Sequence, residues 1–226
     1  MSASPAPFRF YTSLILQEAT GLRAATLPQL SQLLREVPDA CIYHHTHNFL
    51  LSHQYLRPEP THDFAFWVSV TLGEQALGEK LASIDPLEYD SLGALRDALI
   101  EMIDRHLESH PMASMKFVTE GEELFFVKAV HVILPTSYIA RNLEEFAAAL
   151  ERVSIHSLYY HLFDTRLRLG HKTNDFSLWI SEELGLAELA ENFSRMDLYS
   201  QTLESIREKI LTRIRSELRS VETTRA

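Results

Sequence analysis

The chain repeats itself, so any fold it adopts has to accommodate one set of side chains twice. Asp63-Phe64 and Trp67-Val68 return as Asp175-Phe176 and Trp179-Ile180. Leu72-Gly73 and Leu77 return as Leu184-Gly185 and Leu189, and Asp85 returns as Asp197. After a one-residue deletion, Leu92, Leu95, Arg96, Leu99, Ile103, Leu107 and Ser109 align with Leu203, Ile206, Arg207, Ile210, Ile214, Leu218 and Ser220. Upstream, Ala24, Leu27, Leu30, Leu34 and Val37 align with Ala140, Leu143, Phe146, Leu150 and Val153. Ile42-Tyr43 and His45 align with Leu158-Tyr159 and His161, and Phe10 and Thr12 resemble Phe117 and Thr119. Apolar matches alone arise between unrelated amphipathic helices. Trp, Asp, Gly, His and Arg recurring in one order do not.

The chain therefore reads as a tandem duplication of a roughly 110-residue unit. Residues 1–7 read as a disordered leader, 8–110 as the first unit and 115–221 as the second. His110-Pro111-Met112-Ala113-Ser114 is the linker, short enough to predict one pseudo-symmetric body. The expected fold class is mainly α with a small β element. Extended segments are predicted at Phe8 to Thr12 and Met115 to Thr119, and a strand over Glu123 to Leu134, rich in Phe and Val. Leu14 to Leu22 is ambiguous. Helix starts are marked by Thr26 with Gln29 and by Asn142 with Glu145. The spacing predicts helices from Cys41 to Tyr55, from Thr61 or Asp63 to Gly73, from Glu74 to Ile84 and from Ser91 to Ser109. Arg57-Pro58-Glu59-Pro60 reads as a loop with a shorter counterpart around Gly170.

The composition excludes several functions. The 226 residues carry a formal charge of -10, which disfavours nucleic acid and an anionic membrane surface as partners. No run approaches the ~20 apolar residues of a membrane helix, and the N-terminus has no signal-peptide pattern. Cys41 is the single cysteine, so no cysteine-based zinc site or internal disulfide exists. A cytoplasmic location is the expectation, and Cys41 is expected to be a buried, inert thiol.

The conspicuous local feature is Tyr43-His44-His45-Thr46-His47-Asn48, with His53 and His62 nearby. At α-helical spacing His44 and His47 share a face and form a candidate metal pair, with Asp63 or His62 as a third ligand. Only His45 of this cluster recurs, as His161; His44 becomes Tyr160 and His47 becomes Phe163. The bland alternative is a helix with solvent-facing histidines and one structural imidazole. The Asp-Phe-x-x-Trp elements also have two readings. Asp63 and Asp175 are helix caps with Trp67 and Trp179 as core anchors, or all four join Tyr43, His44, His45, Arg96, Tyr159 and His161 as candidates for binding a ligand such as a sugar or polyol. Arg96 and Arg207 sit within apolar stripes and are candidates for pairing with Asp63 or Asp85 and with Asp175 or Asp197. Glycine-rich phosphate loops and a nucleophile elbow are missing, and no cofactor is indicated.

At Thr20-Gly21-Leu22-Arg23-Ala24, Ile42-Tyr43-His44-His45, Asp63-Phe64-x-x-Trp67 and Ser91-Leu-x-x-Leu95-Arg96, the chain resembles a bacterial and archaeal family of unknown function. The resemblance spans nearly the whole chain and implies a link to carbohydrate metabolism, with no established catalytic residues to carry over. The second copy departs from it at Ser137, where the first has Gly21, and at Tyr160. Three readings of function stand. The first is a non-catalytic binding or regulatory module whose partner is another protein or a small polar ligand. The second is a metal-dependent hydrolase or transferase using His44, His45, His47 and Asp63. The third is an obligate homo-oligomer with an exposed Trp or Leu interface.

Overall fold

The computed structural model describes residues 5–48, 62–164, 173–196 and 201–225. Most of these are helical, and two long strands, β1 (Phe8–Ala24) and β2 (Leu124–Ala140), form one antiparallel sheet. β1 absorbs both the predicted Phe8–Thr12 segment and the ambiguous Leu14–Leu22 stretch. Met115 to Thr119 is not extended sheet: Pro111–Met115 forms a 3-10 turn, and β2 begins further on. The place of Phe10 is accordingly matched by Phe126 rather than by Phe117. Phe10 and Phe126 are equally buried, whereas Phe117 is exposed.

The chain divides into two compact units, a central one of Ile15–His131 and a split one of Met1–Leu14 with Val132–Ala226. These spatial units do not follow the expected bounds of 8–110 and 115–221. The amino-terminal end of β1 sends Phe8 and Phe10 into the split unit, and the corresponding end of β2 sends Leu124 and Phe126 into the central one. Within the proposed leader, Ala6 is held in the split unit: its N–H donates to Glu183 at 2.6 Å, and its carbonyl accepts from the Trp179 indole at 2.7 Å.

Each unit wraps helices around its strand end for reasons written locally. In the central unit, Thr26 accepts from the Gln29 amide while Gln29 Oε1 accepts from the Ala25 amide, which starts the helix Leu27–Glu36. Leu27, Leu30 and Leu34 bury one stripe of that helix against the helix Leu92–Ser109, which Ser91 caps. In the split unit, Asn142 caps Leu143–Leu150 in the same way. Helix Leu203–Arg225 supplies Leu203, Ile206, Ile210 and Ile214 to the core.

Arg96 and Arg207 do not pair as expected. Arg96 donates to the Val37 carbonyl and to Asp39, both at 2.7 Å. Arg207 donates to the Leu150 and Val153 carbonyls at 2.7 Å and pairs with Glu204. The reason is the helix C-terminus: its last carbonyls lack intrahelical partners and carry partial negative charge, so a buried guanidinium is drawn there. Asp197, the other expected partner, lies outside the described residues.

Among the described residues, three α-helical stretches run on into π-helical turns. Asp39–Tyr43 continues as a π-helical turn over His44–Asn48, Asp63–Phe66 continues as one over Trp67–Thr71, and Ile155–Tyr159 continues as one over Tyr160–Asp164. The rest of the expected helix to Tyr55, the loop at Arg57–Pro60, His53 and Gly170 fall outside the described residues. The Trp67–Thr71 turn lies so close to the helix Gln75–Ala82 that a Cβ on Gly78 would sit 2.3 Å from Ser69 Cβ and 2.8 Å from its Cα. In the split unit Asp175–Glu182 is plain α-helix, and Ala190 follows Leu189 where Gly78 follows Leu77. Gly78→Ala is therefore expected to cost about 3 kcal/mol, since the obstruction is backbone. Ala190→Gly should cost about 1 kcal/mol. Chemical denaturation of the two variants checks this pair.

Candidate functional site

His45 and His161, which align in the sequence, occupy junctions of the same kind, one in each unit. His45 Nδ1 lies 2.8 Å from Asp63 Oδ2, and His45 Nε2 accepts from the Val127 amide of β2 at 3.1 Å. His161 Nδ1 lies 2.7 Å from Asp175 Oδ2, and His161 Nε2 accepts from the Tyr11 amide of β1 at 2.9 Å. A backbone N–H can only donate, so Nε2 must carry a lone pair and Nδ1 must carry the proton. Each imidazole is thus a bridge: its proton goes to a carboxylate and its lone pair ties a strand to the helices. Both rings are buried among aromatics, His45 against Phe64 and Phe126, His161 against Phe8, Phe10 and Phe176.

Asp63 and Asp175 serve this role because they are not the helix caps. His62 Nδ1 accepts from the Ala65 amide and its Nε2–H donates to the Leu81 carbonyl. Asn174 does the same work with Oδ1 toward Ser177 and Nδ2 toward Phe193. The cap stands one residue before the aspartate in both units. Its identity, His in one and Asn in the other, hides the equivalence in sequence.

Trp67 and Trp179 are anchors of the strand ends. The Trp67 indole donates to the Glu122 carbonyl at 2.8 Å, and Trp179 does so to Ala6 while stacking on Phe146 at 5.4 Å. Both are nearly buried, so neither is the exposed Trp surface of the oligomer reading. Tyr43 and Tyr159 are also core. Tyr43 stacks on His47 at 5.3 Å and Tyr159 on Phe163 at 4.7 Å, four residues apart along the π turns. Arg96 serves a helix end and joins no site.

The metal candidates separate. His44, His45 and Asp63 each bring one ligand-capable atom within 4.8 Å of the others. His47 goes elsewhere: it is fully buried, with Nδ1 2.9 Å from Thr46 Oγ1, whose own proton goes to the Ile42 carbonyl. The shared face expected of His44 and His47 assumed 3.6 residues per turn, and the π turn removes it. His44 is neutral, its pKa pushed down to about 4 mainly by burial. His45 nonetheless has no lone pair for an ion. Ligation through Nδ1 would put the proton on Nε2, facing the Val127 N–H donor. Metal-bound imidazoles have an acceptor at that place.

The split unit opens beside its bridge into a cleft of about 430 Å³. His161, Asp175 and Trp179 line it, together with residues that sequence reasoning passed over, among them Arg9, Tyr11, Tyr160, Glu182 and Glu183. Tyr160 could have been found from the substitution of His44, since it takes the cleft side of the π turn while Tyr159 takes the core. Arg9 and Tyr11 come from the alternate face of a strand whose extent the sequence left open. In the central unit the residues before and after Trp67 are apolar instead, with Phe66 and Val70 exposed. Cys41 is buried, with its thiol pKa raised by desolvation, and stands apart from any nucleophilic arrangement.

No helix among the described residues is long and apolar enough to cross a membrane. No curated protein matches the chain. Among solved structures it is similar to OrfY from Thermoproteus tenax, 28% identical, with a TM-score of 0.79 over 94% of this chain and 96% of that one. The family model of DUF5752, described as a family of unknown function, matches residues 5–215, and the chain belongs to that family.

Proposed function

We propose that the protein is a non-catalytic binding module, made by tandem duplication of one helical unit, that takes a small polyhydroxylated ligand in the cleft beside His161. The observation that carries the reading is the engagement of both nitrogens of His45 and His161. A catalytic His–Asp pair presents its second nitrogen to a substrate. Here a backbone amide occupies that position in each unit, so neither ring can take a proton from a bound molecule. The duplication is supported by paired contacts that match in kind and order: the two bridges, the two indole anchors and the two arginines on helix-end carbonyls. The ligand class is supported by the cleft. Asp175, Glu182 and Glu183 are acceptors for hydroxyls, Arg9 is a donor, and Tyr11 and Tyr160 provide aromatic walls.

The test is a titration of isotope-labelled full-length protein with neutral mono- and disaccharides. Saturable shifts at the Trp179 indole and the Glu182 amide, weakened by Glu182→Ala, are expected. Silence at these positions with every sugar would sink the ligand assignment. The competing metalloenzyme reading is favoured by the closeness of His44, His45 and Asp63, and zinc or manganese tests it. Metal should leave melting unchanged, and a stabilisation abolished by His44→Ala would favour the metalloenzyme instead.

A further inference from the structure

The central unit holds a second cleft, away from the histidine bridges and built from residues of one copy alone. It has a volume of about 380 Å³ and lies along the helix Leu92–Ser109, with Lys80 and Ile84 on its far side. Ile84, Ala98 and Met102 give it an apolar wall.

Three polar groups in this cleft lack partners among the described residues. His106 is buried to within 5% of full exclusion, and its Nε2 lies 2.9 Å from Glu74, which Lys116 holds ionised from 2.7 Å. The carboxylate takes the Nε2 proton, and the other ring nitrogen, Nδ1, is buried with no hydrogen bond among the described residues. The ring orientation is fixed by Glu74 on one side and by stacking on His110 at 4.5 Å on the other. The Lys80 ammonium and the Tyr89 hydroxyl, both lining residues, make no hydrogen bond or ion pair with a described residue. Arg105, the other cation there, is already paired with Glu101.

A buried polar atom left without a hydrogen bond is costly, and an oriented ring nitrogen beside an unpaired cation and an apolar wall is the usual composition of a small-molecule site. We propose that this cleft binds a small hydroxylated anion. His106 Nδ1 accepts from a ligand hydroxyl, Lys80 pairs with the anionic group, Tyr89 donates to it, and Met102 and Ile84 cover the carbon skeleton. At the places of Lys80, His106 and Arg105 the other copy has Asn192, Glu217 and Ser216, so the split unit has no such site.

The test uses the full chain and three probes: glycerol 3-phosphate, glycerol and inorganic phosphate, with shifts of the His106 ring and the Met102 methyl as readout. Glycerol 3-phosphate should bind saturably and more tightly than either part. Lys80→Ala should weaken it about tenfold, and Tyr89→Phe should weaken it measurably, both without change in melting temperature. Absence of saturable shifts with glycerol 3-phosphate would overturn the proposal. So would equal binding of inorganic phosphate, or wild-type affinity in both variants. The sugar cleft lies in the other unit and is read at Trp179 and Glu182, so either assignment can fail alone.

Discussion

Replacing His161 with alanine is expected to lower stability by about 4 kcal/mol, read as a fall of roughly 10 °C in melting temperature. The ring fills space between Phe8, Phe10 and Phe176, so its removal leaves a cavity lined by aromatics. It also removes the acceptor of the Tyr11 N–H and the Nδ1 donor to Asp175. Unpaired buried groups cost more than the bond they made. His161→Gln should recover part of the loss, because its carbonyl can accept from Tyr11 while its amide donates to Asp175. His45→Ala should cost a similar amount through Val127 and Asp63. A near-equal loss in the two variants, partly restored by glutamine, is the pattern of a structural bridge. A loss confined to one of them, or activity lost with stability intact, would mean that one ring does chemistry.

The second large effect is acid lability of the central unit. Burial holds His47 down to about 3 and His62 down to about 4, and it lowers His131 as well. These rings are neutral when folded and protonate near 6.5 when unfolded. Between 6.5 and the folded values the unfolded chain binds more protons, so stability is complete above pH 6.5 and falls as pH drops toward 4. The loss from His62 and from His47 is on the order of 3 kcal/mol each. Protonating His62 would also abolish the cap on Ala65. In the split unit these two places hold Phe163 and Asn174, which do not titrate. Hydrogen exchange at pH 5, corrected for intrinsic rates, should show Ile15–His131 opening before Val132–Ala226. His62→Asn and His47→Phe, each importing the other unit's residue, should move that opening to lower pH. Loss of protection in both units at one pH, unaltered by the two variants, would contradict this origin.

Much of this architecture is visible in the residues themselves. Side-chain caps announce themselves where Thr, Asn or Ser precedes an apolar stripe, and Thr26, Asn142 and Ser91 act as such. What the residues conceal has definite physical causes. A π turn changes which residues share a face, so His44 and His47 are parted and Tyr159 exchanges roles with Tyr160. Histidine and asparagine make the same two hydrogen bonds at a helix start, so the His62–Asn174 equivalence escapes comparison by residue type. Arginine is drawn to carbonyls as well as to carboxylates, so Arg96 and Arg207 find helix ends before Asp63 and Asp175. The cleft residues Arg9 and Tyr11 depend on a strand whose amino-terminal end joins residues 132–226 rather than those that follow it, which no local pattern announces.

His45 and His161 act as neutral bridges with the proton on Nδ1. Long-range proton–nitrogen NMR of the imidazole rings at neutral pH tests it most directly. The Nδ1–H form is expected for both residues, with Nε2 unprotonated and coupled through the hydrogen bond to the Val127 and Tyr11 amides. Adding zinc should change nothing. Protons on Nε2 in either ring, or a zinc-induced shift of the His45 nitrogens, would contradict the bridging role.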